Sequence, residues 1–187
     1  MSAGNTFLMR WRVRVGYPIA IIFFLLARPS AFAVACGAMI AAAGLVLRGA
    51  ASGHLYKHEG LATSGPYAWT RNPLYFGSAL LAAGLLVAGR SWPAAILVIA
   101  YFLAFYPGVM KREERELLVH YGQPFEEYAA SVSLFWPAWR STGASRTPIH
   151  FSWAQYRRNR EYQALLGFLG VLALLCVRWW VRMRFGH

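Results

Sequence analysis

The sequence is poor in charged side chains, which make up only 14% of its 187 residues. Acidic residues are the scarcest: there are seven Asp and Glu against 19 Lys and Arg, for a formal net charge of +12. Hydrophobic residues make up 58% of the chain, whereas soluble domains are about 45–50% apolar. So few charges cannot cover a water-soluble globule, and the composition predicts a membrane protein with a single domain over residues 1–187.

Cysteine is also scarce, with only Cys36 and Cys176, and both lie inside apolar runs. The sequence has no CxxC pair and no His/Cys ligand spacing, so no metal site is predicted. It also has no long basic run, and its cations lie next to apolar segments. The net charge therefore indicates arginines beside membrane helices, and nucleic-acid binding is the less economical explanation.

Apolar runs predict the membrane helices. Four strong candidates are Val15–Ala27, Ala31–Leu47, Leu74–Ala88 and Trp92–Val109, and a weaker one covers residues 164–177. The expected fold is all-α: a polytopic integral membrane protein with four or five transmembrane helices. Whether 164–177 spans the membrane is left open, because the arginines that follow it would violate the positive-inside rule.

Charge asymmetry predicts the orientation of the chain. The arginines before the first run indicate an uncleaved first helix with a cytoplasmic N-terminus. Residues 48–72 and 111–122 then face the cytoplasm as well. The sequence thus predicts a bacterial inner (cytoplasmic) membrane protein with both of these segments on the cytoplasmic side. The Ala- and Gly-rich helices are compatible with a homodimer.

Residues 65–77, "GPYAWTRNPLYFG", join two apolar runs and form the most irregular stretch of the chain. Its prolines stiffen the backbone, and its aromatic rings offer faces that attract a cation. Asn72 is expected to cap the third helix, with Pro73 in the first turn. An aromatic belt at the bilayer surface is the plainer interpretation, but it does not explain the two prolines and the Arg-Asn pair.

Residues 111–122, "KREERELLVHYG", form a second candidate cluster, which contains Arg112, Glu113 and Glu114. Charged residues where a membrane helix meets water are costly unless they pair or serve a site. A solvated helix held by its own salt bridges is the plainer interpretation here. Gly122 is expected to stop the helix.

These two stretches resemble the membrane-embedded methyltransferases typified by isoprenylcysteine carboxyl methyltransferase, a family that shares its S-adenosylmethionine site with phospholipid N-methyltransferases. The resemblance rests on "TSGPYAWTRNPLYFGS", a helical hairpin and "EERELLVHYGQPFEEYAASVSLFWP" in that order. It covers a motif core at residues 53–137 and leaves a C-terminal helical extension at 149–187 outside.

The resemblance implies S-adenosylmethionine as cofactor, bound in a cofactor pocket on the cytoplasmic side, so that the active site faces the cytoplasm. It also assigns roles residue by residue. The implied cofactor-binding residues are Glu59, Gly60, Leu61, Ala62, Tyr67, Asn72, Pro73, Leu74 and Tyr75. At the substrate end it implies Glu113 as the acidic catalytic residue, with Glu114 and Arg112 beside it.

Two positions depart from the family pattern. The family's arginine four residues before the glutamate falls on Val109, and Asn72 stands where the carboxyl methyltransferases have histidine. "NPLYFGS" fits the phospholipid N-methyltransferase version, whereas "GPYAWTR" fits the carboxyl version.

The implied function is methyl transfer to a lipophilic small-molecule or lipidated acceptor among the membrane lipids. The acceptor is most like a prenylcysteine carboxylate, with a phospholipid amine as the second possibility. Two different functions are also compatible with the sequence: an NADPH-dependent enzyme like the sterol reductases, and a non-enzymatic membrane scaffold.

Overall fold

The computed structural model describes residues 3–56, 60–138 and 150–185, and all regular structure within these ranges is helical. The all-α expectation is therefore confirmed. The α-helices are α1 (Ala3–Leu26), α2 (Ala31–His54), α3 (Pro73–Gly89), α4 (Trp92–Tyr121), α5 (Gln123–Ser131), α6 (Trp153–Arg158) and α7 (Tyr162–Phe185).

Three of these helices, α2, α4 and α7, are long and apolar enough to cross a membrane. The apolar part of α1, Arg14–Leu26, and helix α3 are shorter. The expected count of four or five spans is thus not confirmed. The run at 164–177, the weakest candidate in the sequence, lies inside the 24-residue helix α7.

The ends of the helices differ from the ends of the apolar runs. Helix α2 continues past Leu47 to His54, and α4 continues past Val109 to Tyr121 with Pro107 inside it. At both places the sequence changes from apolar to charged. Charged residues mark where a helix leaves an apolar environment. The backbone hydrogen bonds of the helix continue past that point, so polarity alone places the C-terminal ends of α2 and α4 too early.

Short connections join the first four helices in pairs. Residues 27–30 separate α1 from α2, and Arg90 and Ser91 separate α3 from α4. Helix α4 ends at Tyr121 because Gly122 has φ +59°, a left-handed conformation that glycine adopts without steric cost. The Gly122 stop predicted from the sequence is confirmed.

The chain divides into two compact units, each built from several segments. The apolar unit comprises Met1–Ala41, Ala82–Lys111 and Leu169–His187, and the motif unit comprises Ala42–Leu81 and Arg112–Phe168. The core of the apolar unit contains Phe23, Ala27, Ala88, Ala94 and Leu175.

Within the apolar unit, α2 and α3 touch backbone to backbone at Gly37 and Gly84. A β-carbon built on either glycine would collide with the carbonyl oxygen of the other. Small residues allow this kind of close helix approach in membrane proteins, where van der Waals packing replaces the hydrophobic effect between helices.

Arg178 of α7 also has a structural role in the apolar unit. Its Nε donates to the carbonyl of Ala27 at 2.7 Å and its Nη2 to that of Leu25 at 2.6 Å. The guanidinium lies 5.4 Å from the ring centroid of Phe24. Carbonyls at the C-terminal end of α1 lack intrahelical partners, so a cation is favourable there. These contacts explain an arginine at this position of α7 without reference to the orientation of the helix in the membrane.

Candidate functional site

The site residues predicted from the sequence that the structure describes all lie in the motif unit. The stretch 65–77 begins with a short 3₁₀ turn, Gly65–Ala68. Gly65 has φ +59°, and a β-carbon there would lie 2.7 Å from the His54 ring, so both conformation and space require glycine. The turn buries Tyr67 against Ala51 and Ala62.

The stretch is held in place by residues 133–138, which follow α5. The backbone nitrogen of Arg71 donates to the carbonyl of Ser133, and that of Ala138 donates to the carbonyl of Trp69, both at 2.9 Å. We call the hydrogen bonds between residues 69–72 and 133–138 the seam. The seam brings the two quoted motifs of the sequence into direct contact.

Two buried side chains complete the seam. Thr70 Oγ1 donates to the carbonyl of Phe135 at 3.0 Å, and the Asn72 amide nitrogen donates to the carbonyl of Leu134 at 3.0 Å. Buried polar groups are stabilising only when they are hydrogen-bonded, and these two meet that condition.

Asn72 also occupies the N-cap position of α3, as the sequence predicts. Its carbonyl accepts from the backbone nitrogen of Phe76 at 3.0 Å, and Pro73 begins the helix. The Asn72 side chain contributes to the seam, so it fixes the start of α3 against residue 134. Its assignment to the cofactor stays a prediction.

Tyr75, assigned by the resemblance to the cofactor, and Glu113, assigned to the substrate end, are in direct contact. The Tyr75 hydroxyl donates to Oε1 of Glu113 at 2.6 Å, although the two residues are 38 positions apart. Hydrogen bonds to a carboxylate are short and strong. This contact places the acidic pair of α4 beside the first turn of α3.

Glu114, the second acid of the pair, lies against a different residue of the stretch. Its Oε1 is 2.7 Å from Nη1 of Arg71, and both side chains are largely buried. The alignment of these atoms does not make a hydrogen bond, and Arg71 Nε is buried without a partner among the described residues. Arg71 therefore has hydrogen-bonding capacity inside the site.

Arg112, the third predicted catalytic residue, pairs with Glu116 one turn further along α4, with Nε 2.7 Å from Oε1. The Glu116 side chain is 60% exposed. This ion pair matches the salt-bridged, solvated helix that is the plainer interpretation of residues 111–122.

The remaining predicted cofactor residues are placed as follows. Leu61 packs against the core cluster of α5 formed by Phe125, Tyr128 and Val132. Ala62 is buried beside Tyr67, and the carbonyl of Leu74 accepts a hydrogen bond from Ser78 Oγ at 2.8 Å. Gly60 directly precedes Leu61, while Glu59 lies outside the described residues.

Two tyrosines of the motif unit, Tyr67 and Tyr128, are buried. Tyr128 of α5 donates its hydroxyl to the carbonyl of Tyr67 at 2.7 Å. Burial raises the pKa of Tyr67, and the nearby acids Tyr128, Glu113, Glu161 and Tyr75 raise it further. Burial also raises the pKa of Tyr128, partly offset by Arg71.

These tyrosines predict a loss of stability in alkali. An unfolded tyrosine ionises near its ordinary pKa of 10.0, while the folded protein keeps Tyr67 neutral to higher pH. The unfolded state then binds fewer protons, so the free energy of unfolding falls as the pH rises above about 10. Thermal unfolding in detergent from about pH 8 to about pH 11 measures the fall. Tyr67→Phe should make it shallower, and an unchanged slope in that variant would contradict the assignment.

An ion pair that the sequence does not reveal contacts the first turns of α3. Arg48 of α2 binds Glu161 with two bonds, Nε to Oε1 at 2.5 Å and Nη2 to Oε2 at 3.0 Å. Its Nη1 donates to the Leu74 carbonyl at 3.3 Å and to Ser78 Oγ. The two charges are 113 positions apart, so no local spacing could have paired them.

Part of the chain matches a known protein family. Residues 44–124 match the family model described as phospholipid methyltransferase. The resemblance to membrane methyltransferases seen in the sequence is confirmed over these residues. The match includes both Tyr75 and Glu113 and supports an enzyme that transfers methyl groups. It ends before the segment 133–138 of the seam.

One curated relative matches about half of this chain. The cobalt-zinc-cadmium resistance protein CzcN of Cupriavidus metallidurans is 33% identical over 104 residues, which is 55% of this chain and 47% of that protein. The chain thus spans about half the length of that relative. No solved structure gave a significant match. Within the described ranges, no group of three or more His, Cys, Asp or Glu could hold a metal ion.

Proposed function

We propose that this protein is an integral membrane methyltransferase that uses S-adenosylmethionine and acts on a lipophilic acceptor. The observation that carries the proposal is the hydrogen bond between Tyr75 and Glu113 inside the family-matched segment. It joins the aromatic, proline-stiffened stretch to the acidic pair. The proposed site faces the cytoplasm of a bacterial inner membrane, where a polar cofactor and a lipid acceptor can each arrive from its own phase.

The residues present fit the proposed cofactor. S-adenosylmethionine supplies an activated methyl group on a positively charged sulfur. A carboxylate and aromatic faces favour such a cation, and Glu113, Tyr75 and Tyr67 provide them. The buried, unsatisfied Arg71 Nε could donate to a polar or anionic group of the ligand.

In this proposal the chain's residues mainly align the reactants and exclude water. The seam and the N-cap of α3 fix the first helical turn, so Tyr75 is held where its hydroxyl reaches Glu113. The Arg71–Glu114 pair holds the stretch against α4. Positioning of this kind contributes most when the leaving group is already activated.

The class of acceptor decides what Glu113 does. An acceptor carboxylate needs no base, so Glu113 would only orient it through Tyr75. An acceptor amine must lose its proton before attack, and Glu113 would then accept that proton. Val109 is 4% exposed and apolar, so it cannot bind a carboxylate as the family's arginine would. Together with the description of the matching family, this favours the amine as a second candidate beside the carboxylate.

Replacing Tyr75 tests the cofactor assignment. Tyr75→Ala removes both the ring and the hydroxyl, and we expect S-adenosylmethionine affinity to fall about tenfold or more. Tyr75→Phe keeps the ring face and loses only the bond to Glu113, so its affinity should be intermediate. Titration calorimetry in detergent measures all three proteins, after thermal unfolding has shown that they are folded.

Tyr17→Ala is a matched control, because Tyr17 is 70% exposed and lies in the apolar unit. Equal affinity in wild type and Tyr75→Ala would count against the proposal. Protection from heat by NADPH but not by S-adenosylmethionine would instead favour a reductase.

A further inference from the structure

The C-terminal segment 151–161 lies outside the family-matched residues and is fastened to the end of α2. The backbone nitrogen of Ser152 donates to the carbonyl of Gly53 at 3.0 Å. The Asn159 amide nitrogen donates to the carbonyls of Ser52 and Leu55, each at 3.0 Å. These carbonyls belong to the last turn of α2 and the residue after it, where intrahelical partners are missing.

The same segment ends at Glu161, which contacts Arg48. Glu161 is buried, with 9% of its side chain exposed, and Arg48 is 21% exposed. A buried charge is costly unless it is paired and hydrogen-bonded, and the two-bond contact with Arg48 meets both conditions. Arg48 uses its third nitrogen for the Leu74 carbonyl and Ser78 Oγ. One guanidinium therefore connects α2, the residue before α7 and the first turns of α3.

We propose that Arg48 and Glu161 form a positioning pair that sets the first turn of α3, so that Tyr75 reaches Glu113. Leu74 directly precedes Tyr75, so a shift of the Leu74 carbonyl moves the Tyr75 hydroxyl. The pair makes the C-terminal extension a part of the site, although the family match ends at residue 124. The inference rests on the proposed function in one respect, namely that cofactor affinity reports the position of Tyr75.

Glu161→Gln tests the inference with little change in shape. It removes the charge that neutralises Arg48, and we expect the S-adenosylmethionine dissociation constant to rise about tenfold in protein that is still folded. We also expect faster hydrogen exchange in the peptide that covers residues 72–80. Arg48→Lys keeps the charge but loses the two-bond geometry, so it should act in the same direction.

Glu126→Gln is the matched control, because Glu126 is exposed on α5 and undergoes the same chemical change. It should alter neither measurement. If Glu161→Gln does not fold, the same two measurements are made on Arg48→Lys.

The outcomes separate the two proposals. Faster exchange together with weaker binding supports the positioning pair. Faster exchange with unchanged affinity shows a purely structural ion pair, and weaker binding with unchanged exchange shows direct contact with the ligand; either result overturns the inference. If wild-type protein does not bind S-adenosylmethionine, the proposed function fails, and the exchange data alone decide whether the pair holds α3.

Discussion

Glu113→Gln is expected to abolish most methyl transfer while leaving the protein folded. Glutamine has the same size, and its amide oxygen can still accept the Tyr75 hydroxyl bond. It carries no charge and cannot accept a proton from an amine, so the rate should fall about 10²–10⁴-fold if Glu113 acts as a base. The measurement is transfer of an isotopically labelled methyl group into membrane lipid extracts, followed by mass spectrometry to identify the acceptor.

Glu116→Gln is the control for this experiment. Glu116 lies on the same helix, three residues further along, and its exposed pair with Arg112 contributes little. Its transfer rate should equal that of wild type. A large loss in Glu116→Gln with none in Glu113→Gln would show that Glu116, and not Glu113, is needed for the chemistry. A small loss in Glu113→Gln would indicate a carboxylate acceptor, which needs no base.

Gly84→Ala is expected to destabilise the apolar unit strongly for the addition of a single methyl group. The added β-carbon would collide with the carbonyl oxygen of Gly37 and lie 2.5 Å from the backbone nitrogen of Ala41. Both neighbours are backbone atoms of α2, so no side-chain rotation can relieve the contact. Overpacking of this kind costs roughly 1–3 kcal/mol and occasionally more. Thermal unfolding in detergent should show a clearly lower midpoint.

Gly170→Ala provides the opposite expectation in the same unit. Gly170 lies in α7, and a β-carbon there meets nothing within 4 Å. Alanine has the higher helix propensity, by roughly 1 kcal/mol, so this variant should be neutral or slightly more stable. Equal midpoints for the two variants would mean that α2 and α3 are not in backbone contact at Gly84.

The sequence is informative where residue types are unusual for their position. Prolines, aromatic rings and an Arg-Asn pair in a short connection point to the stretch 65–77, and an acidic pair at a helix end points to Glu113 and Glu114. The structure brings these two groups together through Tyr75 and Arg71. Local chemistry suffices because each motif is compact in the chain.

The sequence is uninformative where partners are distant and individually ordinary. Arg48 is simply the first cation after an apolar run, and Glu161 is one acid in a basic segment, so nothing links them. The partner of Arg112 is not specified either, because a helical spacing of four predicts Arg112–Glu116 only as one pairing among several. The partner of Arg71, Glu114, lies on a different element, so no local spacing predicts that contact. Pairings between separate helices depend on packing, which composition and periodicity do not specify.

The seam between residues 69–72 and 133–138 has a consequence for how such a protein can diversify. Two of its bonds join peptide groups, which are the same whatever side chain they carry. Trp69 and Trp136 are both more than half exposed, so they can be exchanged for other residues without unfastening the chain there. The exposed side chains around the seam can therefore change while the backbone connection between the two segments is kept.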